Sequence, residues 1–163
     1  MRDRIKEILL ESIQVKEELL RTKVSEILGI AEIIIEALKK KGKVIFFGNG
    51  GSASDSQHMA AELVGRFKKD RNAMAAIALT TNTAVLTSLA NDYGYDIIFA
   101  KQIEALGQKN DVAVGISTSG KAKNVACAIK QAKKMGIKTV ALTGGDGGEL
   151  AKLADMSLLV PSS

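Results

Sequence analysis

His58 and Glu62 stand four residues apart in the stretch VIFFGNGGSASDSQHMAAELVGRF, Val44 to Phe67. On a helix that spacing puts the imidazole and the carboxylate on one face. The pair suits a common proton path or a common metal ion. It suits an ordinary surface ion pair equally well. What favours chemistry is the segment just before it, Gly48-Asn49-Gly50-Gly51-Ser52. Its glycines permit positive φ and close backbone approach. A strand that enters such a loop and leaves as a helix aims several N–H groups at one point, a geometry that suits phosphate.

A second loop repeats the theme. Ser117-Thr118-Ser119-Gly120 follows the apolar run Val112–Ile116 and opens into a helical stretch. Three hydroxyls and the N–H groups of a helix start form another anion nest, to which Lys121 and Lys123 add charge. Arg66 reads either as a substrate clamp or as a snorkelling surface residue. Asn91-Asp92-Tyr93-Gly94-Tyr95 reads as a polar turn between helical stretches. Thr143-Gly144-Gly145-Asp146-Gly147-Gly148 reads as a flexible turn first and a ligand loop second. A phosphate cradle beside a carboxylate and an imidazole points to chemistry on a phosphorylated metabolite.

A nucleotide cofactor is not expected. Gly48-x-Gly50-x-x-Ala53 matches the dinucleotide fingerprint, but that match is weak alone. The fingerprint needs an acidic residue ending the second strand to hold a ribose hydroxyl. Here that strand ends in Leu79-Thr80-Thr81-Asn82, and Asp70 precedes it. The Gly-Lys-Ser/Thr of a nucleotide P-loop is absent from the sequence.

These loops need elements to place them. Residues Arg2 to Lys40 read as helix, with Ile5, Ile8, Leu9, Ile13, Leu20, Ile27, Ile30 and Ile34 at helical spacing and a break at Gly29. Such an arm, ahead of the first strand, is expected to contact another copy or to fold onto its own sheet. Beyond Gly42, strands are expected at Lys43–Phe47, Ala75–Leu79, Val112–Ile116, Lys138–Leu142 and Met156–Val160. Helices are expected over Ser54–Phe67, from TTNT through Leu89, up to Gly107, over Lys121–Met135 and over Glu149–Ala154. Ser52 with Asp55, or Ser54 with Gln57, would cap the first of these. Strands alternating with helices, several apolar on both faces, indicate an α/β fold with a covered parallel sheet. One domain is expected, residues 1–163, with residues 1–41 as a helical arm and 42–163 as the α/β core.

Composition bounds the partners. With 163 residues and 46% hydrophobic side chains, the chain can bury one core. A net charge of +5 favours an anionic ligand. Nucleic acid fits that charge, but aromatics are only 4% and Trp is absent, which removes a stacking platform. Cys127 is the only cysteine, so no internal disulfide forms and a reducing, cytoplasmic setting is expected. No apolar run is long enough for a membrane span.

The blocks GNGGSASDSQHMAAELVGRF, AIALTTNTAVLTSLANDYG, NDVAVGISTSG and TVALTGGDGGELAKLAD resemble the sugar isomerase (SIS) domain family, most closely its phosphoheptose isomerase branch. The resemblance runs through nearly the whole chain in the family's motif order. It implies a flavodoxin-like α/β/α sandwich with a five-stranded parallel sheet. It implies a cytoplasmic homotetramer with sites at subunit interfaces. The implied reaction converts sedoheptulose 7-phosphate to D-glycero-D-manno-heptose 7-phosphate, in bacterial heptose and lipopolysaccharide synthesis. The family's substrate loop falls on Asn49, Gly50 and Gly51 with Ser52 beside it. Its Asn-Asp pair falls on Asn91 and Asp92, and its phosphate-binding hydroxyls on Ser117, Thr118 and Ser119. Its zinc ligands on this helix fall on His58 and Glu62, with Glu62 also the catalytic base.

Two departures stand out. The family's Gly-Asn-Ser after Ser-Thr-Ser is here Gly120-Lys121-Ala122. The family's C-terminal helix, with a Gln and a His that complete the metal site, would follow Val160-Pro161-Ser162-Ser163, where this sequence stops. On this resemblance an enediol isomerisation is expected, with Glu62 as base, His58 or a zinc ion polarising the oxygens, and Ser117–Ser119 anchoring the phosphate. The alternative is a non-catalytic SIS protein that associates with a replication initiator or senses a sugar phosphate. The implied initiator-binding relatives lack the glutamate and carry Arg after Ser-Thr, so Glu62 and Ser119 favour the enzyme.

Overall fold

The structure is a computed structural model and describes residues 1–162. Among these residues it has seven α-helices and five strands. The strands are β1 (Val44–Gly48), β2 (Ala76–Ala78), β3 (Val112–Ser117), β4 (Lys138–Gly144) and β5 (Met156–Val160). They form one parallel sheet in the order β2-β1-β3-β4-β5. The helices are α1 (Arg2–Thr22), α2 (Val24–Lys39), α3 (Gly51–Val64), α4 (Thr83–Tyr93), α5 (Ile98–Leu106), α6 (Lys123–Lys134) and α7 (Gly148–Leu153). A single 3₁₀ turn, Tyr95–Ile97, links α4 to α5.

Alternation along the strands separates two apolar cores. Val44 and Phe46 of β1 join Val112, Val114 and Val140 under α2 and α3, against Ile30, Ala37 and Ala60. Ile45 and Phe47 point the other way, to Ile98, Phe99 and Ile103 of α5, Val125 and Ile129 of α6, and Leu150 of α7. The result is a three-layer α/β/α sandwich. β1 is buried at all five positions, as a central strand covered on both faces must be.

The N-terminal arm divides in a way its periodicity did not indicate. The break falls at Lys23, not Gly29. Gly29 lies inside α2, where a Cβ would come within 2.7 Å of the Met156 side chain. Its role is close packing of α2 on β5. The arm folds onto its own sheet only through α2; no residue of α1 is buried among the described residues. Ile5, Ile8, Leu9, Leu10, Ile13 and Leu20 of α1 are exposed.

The order of strands sets the place of the site. β1 leads through α3 to β2 on one side, and β3 leads through α6 to β4 on the other. The loops after β1 and β3 therefore diverge at a switch point along the C-terminal edge, the crevice in which ligands of open α/β sheets bind.

Candidate active site

β1 and β3 pair in register up to Gly48 opposite Ile116. The next residues on each strand are Asn49 and Ser117, so both candidate loops start side by side at the switch point. Gly48 cannot be another residue without movement: a Cβ there would lie 2.8 Å from the Ile116 carbonyl oxygen and from the Ser52 Cβ. Gly50 adopts φ 55° and ψ −121°, a backbone state reserved for glycine. A Cβ on Gly50 or Gly51 would meet nothing within 4 Å, so this turn is open to a ligand.

The helix begins earlier than its sequence suggested. α3 starts at Gly51 with Gly50 as N-cap, and neither Ser52 nor Ser54 makes a capping bond. Both expected capping boxes are therefore incorrect. Ser52 is inside the first turn, its carbonyl accepting the buried Ser56 hydroxyl at 2.7 Å. Gly50 leaves the first N–H groups of α3 without side-chain caps, as an anion-binding N-terminus requires.

The second loop is held from behind. The Gly120 N–H donates to the Ser117 carbonyl at 3.0 Å, closing a tight turn with Gly120 at φ 64°. The Gly144 N–H donates to the Thr118 carbonyl at 2.8 Å, and the Leu150 N–H to the Gly120 carbonyl at 3.1 Å. Thr143–Gly148, expected as a flexible turn first and a ligand loop second, is a backbone buttress for the Ser117–Gly120 loop. Ser117 is buried, whereas Thr118 and Ser119 are exposed. A hollow of about 280 Å³ opens beside them, lined by Thr118, Ser119, Lys121, Gly144, Gly145 and Asp146.

His58 Nε2 lies 3.4 Å from Glu62 Oε1, so the i, i+4 pair meets as its spacing predicted. The His58 side chain is 75% exposed and that of Glu62 34%. Arg71 caps this end of α3, donating to the Glu62 and Leu63 carbonyls at 2.7 and 2.8 Å. Arg66, the expected clamp, is exposed just past the helix. Among the described residues no cluster of three His, Cys, Asp or Glu side chains could hold a metal. His58 and Glu62 are thus two donors and not a complete site.

Glu62 is eleven residues along α3 from Gly51. At a rise of about 1.5 Å per residue that is roughly 16 Å, three turns below the Gly50–Gly51 turn. One chain therefore holds the Asn49–Gly51 turn and the His58–Glu62 pair at opposite ends of α3.

Asn91 and Asp92 are not in a turn. They belong to the last turn of α4, where the Asn91 amide donates to the Asp92 carboxylate at 2.8 Å. The helix runs on because Asn82 caps its start, accepting from the Val85 N–H, and Gly94 at φ 92° ends it. Two residues that the sequence reading gave no role at the site touch Asn49 directly. Asn124 exchanges hydrogen bonds with it, and the Tyr95 hydroxyl donates to it at 3.1 Å. The pairing of β1 with β3 brings Asn124 to Asn49, the 3₁₀ turn after α4 brings Tyr95, and no local pattern announces either.

The profile of the SIS domain family matches residues 9–144. The phosphoheptose isomerase of Helicobacter pylori strain P12 is 51% identical over 157 residues, covering 96% of this chain and 78% of that protein. The phosphoheptose isomerase of Aquifex aeolicus is 50% identical over 162 residues, covering 99% of this chain and 85% of its own length. Among solved structures, phosphoheptose isomerase from Neisseria gonorrhoeae superposes with a TM-score of 0.93 at 43% identity, covering 99% of this chain and 86% of that one. That from Francisella tularensis gives 0.94 at 38% identity with the same coverage.

Proposed function

This chain belongs to the SIS-domain family, and from that premise we propose that it is a phosphoheptose isomerase. It interconverts sedoheptulose 7-phosphate and D-glycero-D-manno-heptose 7-phosphate. The observation that carries the reading is the meeting of Asn49–Gly51 with Ser117–Ser119 at the β1/β3 switch point, in a chain half identical to enzymes of that name.

The reaction moves a proton between C1 and C2 through an enediol. It needs one base near those carbons and donors for the oxygens. Ser117, Thr118 and Ser119, with the N–H groups they precede, hold the phosphate. Binding energy at that remote end positions the reacting end. Asn49, Gly50, Gly51, Ser52, Arg66, Asn91 and Asp92 hold the sugar. Glu62 takes the proton, and His58 donates toward the oxygens.

The span along α3 from the Gly50–Gly51 turn to Glu62 supports a site shared between copies of the chain. So does α1, most of whose apolar residues are exposed within one chain. We assign a homotetramer with sites at its subunit interfaces. Zinc at His58 and Glu62 belongs to the same proposal: an imidazole and a carboxylate suit it, and bound zinc would polarise substrate oxygens. The donors present in this chain supply half of a four-ligand site, so every step above is assigned to side chains. Zinc content measured on the purified protein and on His58→Ala, with the parent retaining metal that the variant loses, tests that assignment. A cytoplasmic place in heptose and lipopolysaccharide synthesis follows from the same reading. No helix among the described residues is long and apolar enough to cross a membrane.

The direct experiment incubates the purified chain with sedoheptulose 7-phosphate and follows the aldose product by NMR. Glu62→Gln keeps the shape and removes the base, so kcat is expected to fall by about 10²–10⁴. Turnover by that variant at the parent rate would overturn the assignment of Glu62.

A further inference from the structure

Asn49 is held by three polar contacts. Asn49 Nδ2 donates to Asn124 Oδ1 at 2.9 Å, and Asn124 Nδ2 donates to Asn49 Oδ1 at 2.9 Å. The Tyr95 hydroxyl donates to the same Asn49 Oδ1 at 3.1 Å. Asn124 is only 3% exposed, at the start of α6, while Asn49 lies at the end of β1. The bonds therefore tie the two strand-to-helix loops together across the switch point.

An amide can be turned end for end, and the network decides which way each one faces. The anchor is the Val125 N–H, which meets Asn124 Oδ1 at 2.9 Å. A backbone N–H only donates, so that atom of Asn124 must be the oxygen. The Asn124 NH₂ group then faces Asn49, and the atom of Asn49 it meets must be an oxygen too. The Tyr95 hydroxyl completes the second lone pair of that oxygen. Asn49 Oδ1 is saturated, and one of its two N–H bonds is used. One N–H remains for a ligand.

We infer that Asn124 is a positioning residue for the isomerase: it locks the Asn49 amide so that this side chain offers the sugar a donor and never an acceptor. The inference rests on the proposed function, in which Asn49 holds the sugar. A donor suits a carbonyl or enediolate oxygen, whose charge rises during the reaction. A turned amide would set two oxygens against each other. Tyr95 is the lesser support, because its side chain is exposed and its bond duplicates an orientation that Asn124 already imposes.

The test is steady-state kinetics with sedoheptulose 7-phosphate, together with inhibition by inorganic phosphate. The variants are Asn124→Ala, Asn49→Ala and the double substitution. Turnover by the unaltered enzyme is read first. Its absence would refute the isomerase reading, whereas the inference is read from the ratio of variant to parent. Asn124→Ala is expected to lower kcat/KM about tenfold, the worth of one well-placed hydrogen bond. Inhibition by inorganic phosphate should stay within about twofold, since the phosphate loop is not touched. In the Asn49→Ala background the same substitution should add nothing further. If kcat/KM and phosphate inhibition shift together, Asn124 merely supports the start of α6 and the inference fails. It fails equally if the two single effects simply multiply in the double variant. Should Asn124→Ala not fold, Asn124→Ser carries the test, because it leaves an oxygen for the Val125 N–H but cannot span both atoms of Asn49.

Discussion

The carbonyl oxygen of Gly147 occupies the space where Gly120 would carry a Cβ. The contact is mutual, for a Cβ on Gly148 would lie 2.7 Å from the Gly120 oxygen. The loops after β3 and β4 thus touch backbone to backbone. The shape of the proposed phosphate nest depends on what lies under it. Gly120→Ala meets both a positive φ and an occupied space, and the obstacle is main chain that cannot rotate away. The expected cost is about 2–4 kcal/mol of stability, with KM for the sugar phosphate raised at least tenfold. A denaturant titration and steady-state kinetics check both. Lys121→Ala, on the exposed rim of the same hollow, should leave stability within about 0.5 kcal/mol.

The hydroxyls above that buttress are expected to differ in weight. Ser117 is buried at the strand end, whereas Ser119 is exposed at the turn, and the Lys121 N–H reaches its Oγ at 3.3 Å. A hydrogen bond to a charged group contributes about 1.5–3 kcal/mol, so loss of one phosphate contact should raise KM roughly 10- to 100-fold with kcat much less affected. Ser117→Ala and Ser119→Ala, assayed against sedoheptulose 7-phosphate and inorganic phosphate, should weaken both ligands in parallel. A variant that weakens the sugar alone would show that its hydroxyl does not touch the phosphate.

The layers and most of the strands were legible because parallel strands covered on both faces read as apolar runs; β5 falls where its run predicted, Met156–Val160. The pair His58 and Glu62 was legible because helical spacing is local. The start of α3 was not, since the sequence offers serines that look like caps while Gly50 takes the turn that only glycine can. Asn91 and Asp92 misled in the same way, polar residues finishing a helix whose boundary Gly94 sets. Asn124, Tyr95 and the buttress of Gly147 and Gly148 depend on which strands are neighbours, and strand order is not written in any single segment.

Acid should loosen the far edge of the sheet before the site. Asp155 Oδ2 accepts the Thr139 N–H at 2.9 Å and its hydroxyl at 2.8 Å, and Lys133 sits 3.2 Å from the other oxygen. Burial alone would push this carboxyl up, but the Thr139 hydrogen bonds and Lys133 outweigh it and hold it below the ordinary aspartate value. A depressed folded-state pKa stabilises the fold above the unfolded value of about 3.9 and loses that contribution as pH falls through the folded value. Asp155→Ala should therefore cost about 2 kcal/mol at neutral pH and much less near pH 2. Urea titrations of parent and variant at both pH values measure it; an equal gap at the two would show that the contribution is not ionic.

The length of α3 leads to the sharpest test of a shared site. Within one chain Glu62 lies roughly 16 Å along the helix from Gly51, at the sheet edge where the proposed phosphate loop also starts. In the proposed shared site the substrate draws its phosphate grip and its base from different copies. Two impaired variants, Glu62→Gln with its low kcat and Ser117→Ala with its raised KM, carry complementary defects in that case when assayed at low substrate concentration. Mixed, unfolded and reassociated together, they should regain roughly a quarter of the sites, those that combine an intact loop with an intact carboxylate. Charge placed on α1, as in Leu9→Lys with Ile13→Lys, should dissociate the assembly and abolish turnover without unfolding the sheet, because neither side chain is buried in its own chain. Sedimentation, circular dichroism and kinetics on the same samples separate these effects. If the mixture stays impaired while its parts co-assemble, both groups serve one chain's own site.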